Sequence, residues 1–465
     1  MGCISYADLI NRAICGVAQT EEMSEADLKE YICKDGPNTP TISVPGGFVF
    51  TTADGLAAIH ELGRLWRSES ADRKRRLNSE RAAILAAEVF GEALAAGAFK
   101  TGTDPREAKK KLRRRLEDRL AAVEHDVVHT FPCHILDDTS IGEFDVGPVR
   151  FWPRLVWLDY AERIEGRKAD WVKYLREAWT KNVAPPEGKT LHECYVRIIH
   201  SGFGFCKWAA TVTISGNDIG RSKERAHTAT RLAVDALGVV LNRRDALNLR
   251  GPGDELRPRA AVTIMHVPKK SISLGQSLDL PRLGGRPGFA KSYLDDTKAY
   301  RDATGKAIDP IVAVKPSGSI PRLRQTWCDA LFWFGEARRD PTDFMALVRY
   351  GMSLDVLTQA RQERGITCLL AALFGMRPND TFLTDGKTLA KAAERIYNAR
   401  SQLGHGGRPA LLEDLPFSRA STDMIAALAL QRYVMCLSHY TGTDCYEKFL
   451  GAIPEILPRL LKPTG

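Results

Sequence analysis

The sequence lacks several features that would have decided its class at once. No uninterrupted apolar stretch in its 465 residues approaches the roughly 18 needed to cross a bilayer, so no membrane span is expected. No basic-then-apolar leader follows Met1, so the chain is expected to stay in the cytoplasm. No pair among its ten cysteines has the C-x-x-C spacing, so reduced, mostly buried thiols are expected rather than a disulfide framework. No repeat period or low-complexity tract is present, which sets solenoids and arrays aside. Phosphate-loop and dinucleotide frames are missing too: Lys315-Pro316-Ser317-Gly318 lacks the Gly-Lys-Ser/Thr end, and Gly284-Gly285 stands outside any G-x-G-x-x-G. Tyr6 stands where a myristoylation signal wants Ser or Thr.

Charge is nearly balanced. The chain has 66 Lys and Arg against 57 Asp and Glu, a net +9 that favours polyanions only mildly. From Pro321 onward there are 18 basic and 15 acidic residues, so 18 − 15 = +3 lies there and the remaining +6 upstream. At about 150 residues per domain the length allows three domains.

The patterning predicts a multidomain α+β chain: a mainly helical region over residues 1–125, a β-rich α+β middle domain over 126–318, and an all-α bundle over 319–465. In the first region Ser24-Glu25-Ala26-Asp27 resembles a capped helix start, and Leu56, Ile59, Leu62 and Trp66 recur at helical spacing. Between them, Thr41 to Phe50 reads as a hairpin around Pro45-Gly46-Gly47, an order compatible with a small winged, DNA-binding element. Two basic clusters follow, Arg73-Lys74-Arg75-Arg76 and Lys109 to Arg115. Each is a solvated helix face or a nucleic-acid contact patch, the former being the commoner arrangement. In the middle region Val149–Trp152, Leu155–Leu158, Cys194–Ile199, Trp208–Ile214 and Ala260–Met265 read as strands, interrupted by a helix over 222–241. Beyond Ile320, five amphipathic helices are expected, the last two over 387–403 and 422–440, joined by short loops.

Two His/Cys groupings compete for attention. His192, Cys194, His200 and Cys206 match no common zinc spacing, and on a strand two of them would face apart, so no metal or other cofactor is expected. Cys133-His134 is an isolated pair, and His439 with Cys436 lies on the last expected helix as a core or rim residue.

The fourth helix of the bundle carries the chemistry. At about 100° per residue from Ile396, Leu389, Ala392, Ala393, Ala399 and Leu403 fall within roughly 60° of it, and Arg400 falls at about 40°, inside the apolar stripe. A guanidinium there needs an acid, a phosphate or a wet cleft. Gly404, Gly406 and Gly407 end the helix and leave His405 at its C-terminal end, where the helix dipole favours imidazolium. An Arg and a His so placed suit phosphodiester chemistry, the His moving the proton of a ribose hydroxyl and the Arg bracing the phosphate. An Arg paired with an acid and a His capping a helix account for the same spacing equally well.

Tyr397-Asn398-Ala399-Arg400-Ser401-Gln402-Leu403-Gly404-His405-Gly406-Gly407 resembles the R-x4-6-H signature of the HEPN superfamily, specifically its Apea-like branch. Ser353-Leu354-Asp355-Val356-Leu357 is similar to the family's small-apolar-acid-x-apolar segment, although the family more often has Glu at the acidic position. The resemblance covers about 145 residues, from Ile320 to the end. It implies a metal-independent endoribonuclease that dimerises so that both motifs line one cleft. It assigns Arg400 to the scissile phosphate, His405 to general acid or base work, and Asp355 to orienting Arg400 or the attacking 2′-hydroxyl. Tyr397, Asn398 and Ser401 would contact substrate. The same resemblance implies a bacterial anti-phage or abortive-infection role, with tRNA among the RNA targets and a phage-derived trigger acting on residues 1–318 as a sensor. Some members of the superfamily lack activity and only bind nucleotides or RNA, and the alternative for this chain is a non-catalytic RNA- or protein-binding module acting through dimerisation.

Overall fold

The computed structural model describes residues 5–35, 39–99, 104–122, 126–165, 170–254, 259–266, 272–279, 283–284, 286–313, 318–383, 386–404 and 418–461. It is a helix-rich α+β chain with three small sheets, two of them hairpins. Two compact units form, one from Met1–Val127 with Ile214–Arg225, the other from Val128–Thr213 with Ala226–Gly465.

The first unit opens with α1 (Tyr6–Glu21), α2 (Glu25–Asp35), the hairpin β1 (Thr41–Val44) and β2 (Gly47–Phe50), then α3 (Ala53–Ser68), α4 (Ala71–Arg76), α5 (Ser79–Ala95) and α6 (Pro105–Ala122). Side-chain caps set the helix starts. The Ser5 and Asp8 side chains form a reciprocal capping box, Thr52 accepts from the Gly55 N–H, and Asn78 accepts from Arg81. Leu62, Trp66, Phe90, Leu112 and Leu116 are shared in one core. Leu112, Leu116 and Leu120 on α6 recur every four residues, which is why its lysines and arginines are left on the solvent side.

The second unit continues with β3 (Val127–Cys133), β4 (Phe144–Val146), β5 (Val149–Pro153), α7 (Arg154–Glu165), α8 (Asp170–Lys181), α9 (Leu191–Phe203), β6 (Trp208–Ile214), α10 (Ile219–Val239), α11 (Arg243–Ala246), β7 (Arg259–His266), β8 (Ile272–Asp279), α12 (Phe289–Asp296) and α13 (Lys298–Val312). Some of these elements cross the division between the units. The four-stranded sheet has the order β3-β6-β5-β4, with β4, β5 and β6 paired antiparallel. Trp152 and Trp208 are buried in it, and each satisfies its indole N–H, on the Thr211 hydroxyl and the Leu136 carbonyl.

Two expected strands are helices, so the middle region is not β-rich. Leu155–Leu158 lies in α7, where Trp157, Leu158 and partly buried Ala161 recur at helical spacing against one core. Cys194–Ile199 lies in α9, started by a capping box in which Thr190 accepts from the Glu193 N–H while the Glu193 carboxylate accepts from the Thr190 N–H. Two satisfied end groups and an apolar helical face outweigh the strand preference of a short β-branched run. The nine described cysteines are free thiols, but Cys15, Cys33, Cys194 and Cys368 are exposed, against the expectation of mostly buried ones.

The C-terminal helices are α14 (Pro321–Arg339), α15 (Asp343–Leu357), α16 (Gln362–Phe374), α17 (Leu389–Gly404), α18 (Arg419–His439) and α19 (Tyr446–Leu461). The packing begins before Pro321, because α13 lies against both α14 and α18. Trp327 sits fully buried at its centre and donates to the Leu430 carbonyl at 3.0 Å. The expected stripes are the buried ones, including Leu323, Trp327, Leu331 and Phe334 on α14 and Ile366, Leu369, Leu370 and Leu373 on α16. The connection over 375–388 is longer than expected and is pinned by a bridge between Thr381 and Thr388. A sixth helix, α19, was not expected; it contains Pro454 and Pro458, each of which removes a helical hydrogen bond. Both prolines are exposed.

Candidate functional site

The site is built where α15 crosses α17. Gly351 makes the approach close: a Cβ there would lie 2.6 Å from the Cβ of Arg400. Leu347, Val348 and Ala399 form a small cluster beside it, and Leu389, Ala392, Ala393 and Ile396 bury the rest of the α17 stripe. Arg400 therefore starts from the packed face. One turn beyond Gly351, Asp355 presents its carboxylate, and an Arg400 Nη sits 3.0 Å from Asp355 Oδ2. The Asp355 side chain is 8% exposed and that of Arg400 33%, so the acid is held inside while the guanidinium keeps an open side.

Asp355 is fixed at both oxygens. Its Oδ1 accepts from the Gln362 N–H at 3.3 Å, and its backbone carbonyl accepts from the N–H groups of Thr358 and Ala360 and from the Thr358 hydroxyl. This turn is unusual. Gln359, Ala360 and Gln362 have φ of 55°, 60° and 59°, three non-glycine residues in the left-handed region within four positions. Such backbone persists only where surrounding bonds over-determine it.

The other expected site residues are distributed as follows. Tyr397 lies one turn before Arg400, with its ring centre 5.8 Å from the guanidinium carbon, within cation–π range. Asn398 and Ser401 are half-buried on the same stretch of α17. His405 lies outside the described residues, as do Gly406 and Gly407, immediately after Gly404 closes α17. His439 is engaged within its own helix, its Nδ1 lying 3.0 Å from the Met435 carbonyl and 2.9 Å from the Ser438 hydroxyl. Chemically, the visible part is an anchored guanidinium with spare donors beside an aromatic ring, which suits recognition of one phosphate.

The basic clusters are largely structural. Arg73 lies over the Trp66 ring, donates to the Trp66 carbonyl at 2.6 Å and pairs with Glu117, while Arg76 donates to the carbonyls of Gly216 and Leu120. On α6, Arg113 and Arg119 pair with Glu69 and Glu92. Lys110, Lys111 and Arg114 remain exposed. The four His/Cys candidates for zinc straddle a helix rather than a strand, and among the described residues no three His, Cys, Asp or Glu side chains converge as metal ligands.

Sequence reasoning missed a buried ionic cluster. Arg338 on α14 donates from Nε and Nη2 to the two oxygens of Asp423 on α18, at 2.7 and 3.0 Å, and also reaches the carbonyls of Gly238 and Leu241. The Tyr350 hydroxyl donates to the same Asp423 at 2.6 Å. Burial and the Asp423 charge push the Tyr350 hydroxyl up. A signal existed, because Arg338 follows Phe334 by four residues and so continues the inward stripe of α14. A guanidinium on that face needs an acid, as Arg400 does.

A comparison with family models, curated proteins and solved structures finds no match for this chain. Among the described residues no helix is long and apolar enough to cross a membrane.

Proposed function

We propose that the chain is a metal-independent HEPN endoribonuclease acting in cytoplasmic bacterial defence against phage, with its chemistry in the C-terminal helices. The observation that carries the reading is the Arg400–Asp355 pair: a carboxylate fixed at both oxygens holds a guanidinium whose side chain stays 33% exposed, five residues before His405 in the sequence. Arg400 binds a scissile phosphate and stabilises the charge that builds on its oxygens. His405 removes the proton of the ribose 2′-hydroxyl, whose oxygen then bonds to phosphorus as the bond to the 5′-oxygen breaks. The departing oxygen takes a proton, leaving a 2′,3′-cyclic phosphate and a 5′-hydroxyl. Asp355 positions Arg400, and Tyr397, Asn398 and Ser401 border the substrate. Two copies would share one cleft, and residues 1–318 would hold the enzyme quiet until a phage product binds.

A second reading is favoured by the same ion pair. Arg400 already has a carboxylate partner, which is what a purely structural guanidinium requires, and the chain is then an RNA- or protein-binding module acting through dimerisation. Cleavage separates the two readings. Purified wild type is incubated with end-labelled tRNA and single-stranded RNA in EDTA, alongside Arg400→Ala and His405→Ala. The nuclease reading expects cyclic-phosphate ends and a loss of about 100-fold or more in each variant. It fails if no RNA is cut, or if both variants cut as well as wild type.

A further inference from the structure

A cavity of about 1190 Å³ lies away from Arg400, among the C-terminal half of α10, α11 with the turn that follows it, and the end of α14. Its lining contains seven arginines and five acids, all within the second unit. The acids are already engaged. Asp235 pairs with Arg339, Glu336 accepts from Arg231 at 2.7 Å and from Arg339 at 3.2 Å, and Asp254 accepts from the Gly251 N–H at 2.8 Å. Asp340 pairs with Arg349 at 3.0 Å, and Asp245 accepts from the Asn242 amide. Gly335 lets Asp235 lie this close to α14, because a Cβ there would meet both the Asp235 carboxylate and the Arg339 guanidinium.

Charge is therefore unevenly distributed around the space. On α10, α14, α15 and Asp254, the arginines 231, 339 and 349 face four acids, while Arg338 is spent on Asp423 behind the wall. On α11 and its turn, Arg243, Arg244 and Arg250 face Asp245 alone. Arg243 and Arg244 have no carboxylate partner among the described residues, and the Nε of Arg243 is buried without a hydrogen-bond partner. The Nε groups of Arg231 and Arg339 also lack hydrogen bonds, but they lie 3.9 Å from an Asp235 oxygen and 3.7 Å from an Asp254 oxygen, so among the described residues Arg243 alone of the three has no carboxylate near its Nε. A buried donor without an acceptor is costly, and Arg243 belongs to the lining of this space.

We propose that this cavity binds a small molecule carrying two or more phosphates, of nucleotide size, with its phosphates on Arg243 and Arg244. Planar guanidiniums match phosphate oxygens bidentately. The space is larger than any single inorganic phosphate requires and leaves room for the rest of a nucleotide. Neither the walls nor the sequence offers a phosphate loop, so the inference is binding and not hydrolysis. It stands independently of the nuclease reading.

Calorimetric titration of the full chain with ATP, inorganic triphosphate and adenosine tests it, on wild type, Arg243→Ala/Arg244→Ala and the double Lys variant. The expected result is binding of ATP with Kd below about 1 mM, weakening with salt, and no binding of adenosine. The double Ala variant should lose roughly tenfold or more, and the Lys variant should recover part of it. Both arginines lack partners, so the variants should keep the wild-type melting temperature, which is checked in the same samples. Equal affinity for triphosphate and ATP identifies an inorganic polyphosphate as the ligand class, and tighter ATP identifies a nucleotide. Absence of binding by either phosphate compound, or undiminished binding by the double Ala variant, overturns the proposal.

Discussion

Replacing Asp423 by Ala should be among the most damaging single changes in the second unit. The Arg338 and Asp423 side chains are 6% and 8% exposed, so the pair is out of water. Truncation removes the acceptors of two Arg338 donors and of the Tyr350 hydroxyl, and leaves the guanidinium with only the Gly238 and Leu241 carbonyls. Stranding one partner of a buried pair costs about 3–5 kcal/mol. The orphaned Tyr350 hydroxyl adds about 1 kcal/mol. Against the 5–15 kcal/mol typical of a folded domain, this removes a large share of the stability. Asp423→Asn keeps an acceptor for Tyr350 and should cost about half as much. The decisive control is Arg338→Met with Asp423→Leu, which removes both charges and should cost less than about 2 kcal/mol. Urea unfolding followed by tryptophan fluorescence reports it, since Trp327 is packed among the same helices. If Asp423→Ala costs less than about 1.5 kcal/mol, or the double variant costs as much as the single one, the stranded-charge reasoning is wrong.

Gly351→Ala places a Cβ 2.6 Å from the Arg400 Cβ, so α17 must move or Arg400 must leave Asp355. A stability loss of about 1–3 kcal/mol is expected in urea, with at least a tenfold fall in RNA cleavage under the nuclease reading. His134 gives a pH prediction. Burial, offset in part by Asp137, lowers its pKa from 6.5 to about 4, and both ring nitrogens are without hydrogen bonds. A base with a depressed folded pKa takes its proton first in the unfolded chain. Stability is therefore full above about pH 6.5 and is lost as pH falls toward 4, by at most about 3 kcal/mol. His134→Leu should flatten that part of the curve relative to wild type. An unchanged difference between the two proteins from pH 7.5 to 4.5 would refute the assignment.

Much of the helical packing was legible because burial imposes a period. The stripes on α14, α16 and α17 are the buried faces, down to the inward position of Arg400. Misreadings occurred where local composition and end groups disagreed. The run Tyr195-Val196-Arg197-Ile198-Ile199 has strand character, but Thr190 and Glu193 cap a helix around it, and that Thr-x-x-Glu spacing was available in the sequence. Pro454 and Pro458 concealed α19 because the exposure that makes them tolerable is a tertiary property. Asp423 was beyond reach for the same reason, since its partner lies 85 positions away and its own helix is apolar on almost every side.

The turn after α15 carries the same division between local and tertiary information into the candidate site. No glycine marks residues 359–362, so nothing in the sequence announces a left-handed stretch, and each such non-glycine residue costs about 1–2 kcal/mol. What offsets that cost is centred on Asp355, whose carbonyl collects the N–H groups of Thr358 and Ala360 and whose carboxylate takes that of Gln362. The strained backbone thereby places one donor on Asp355 Oδ1, while an Arg400 Nη lies 3.0 Å from Oδ2. With Oδ1 held by the Gln362 N–H, the Asp355 carboxylate presents Oδ2 to an Arg400 Nη, and the Arg400 side chain remains 33% exposed. The strain and the ion pair therefore share Asp355, and replacing it removes both the acceptors that offset the one and the carboxylate that anchors the other.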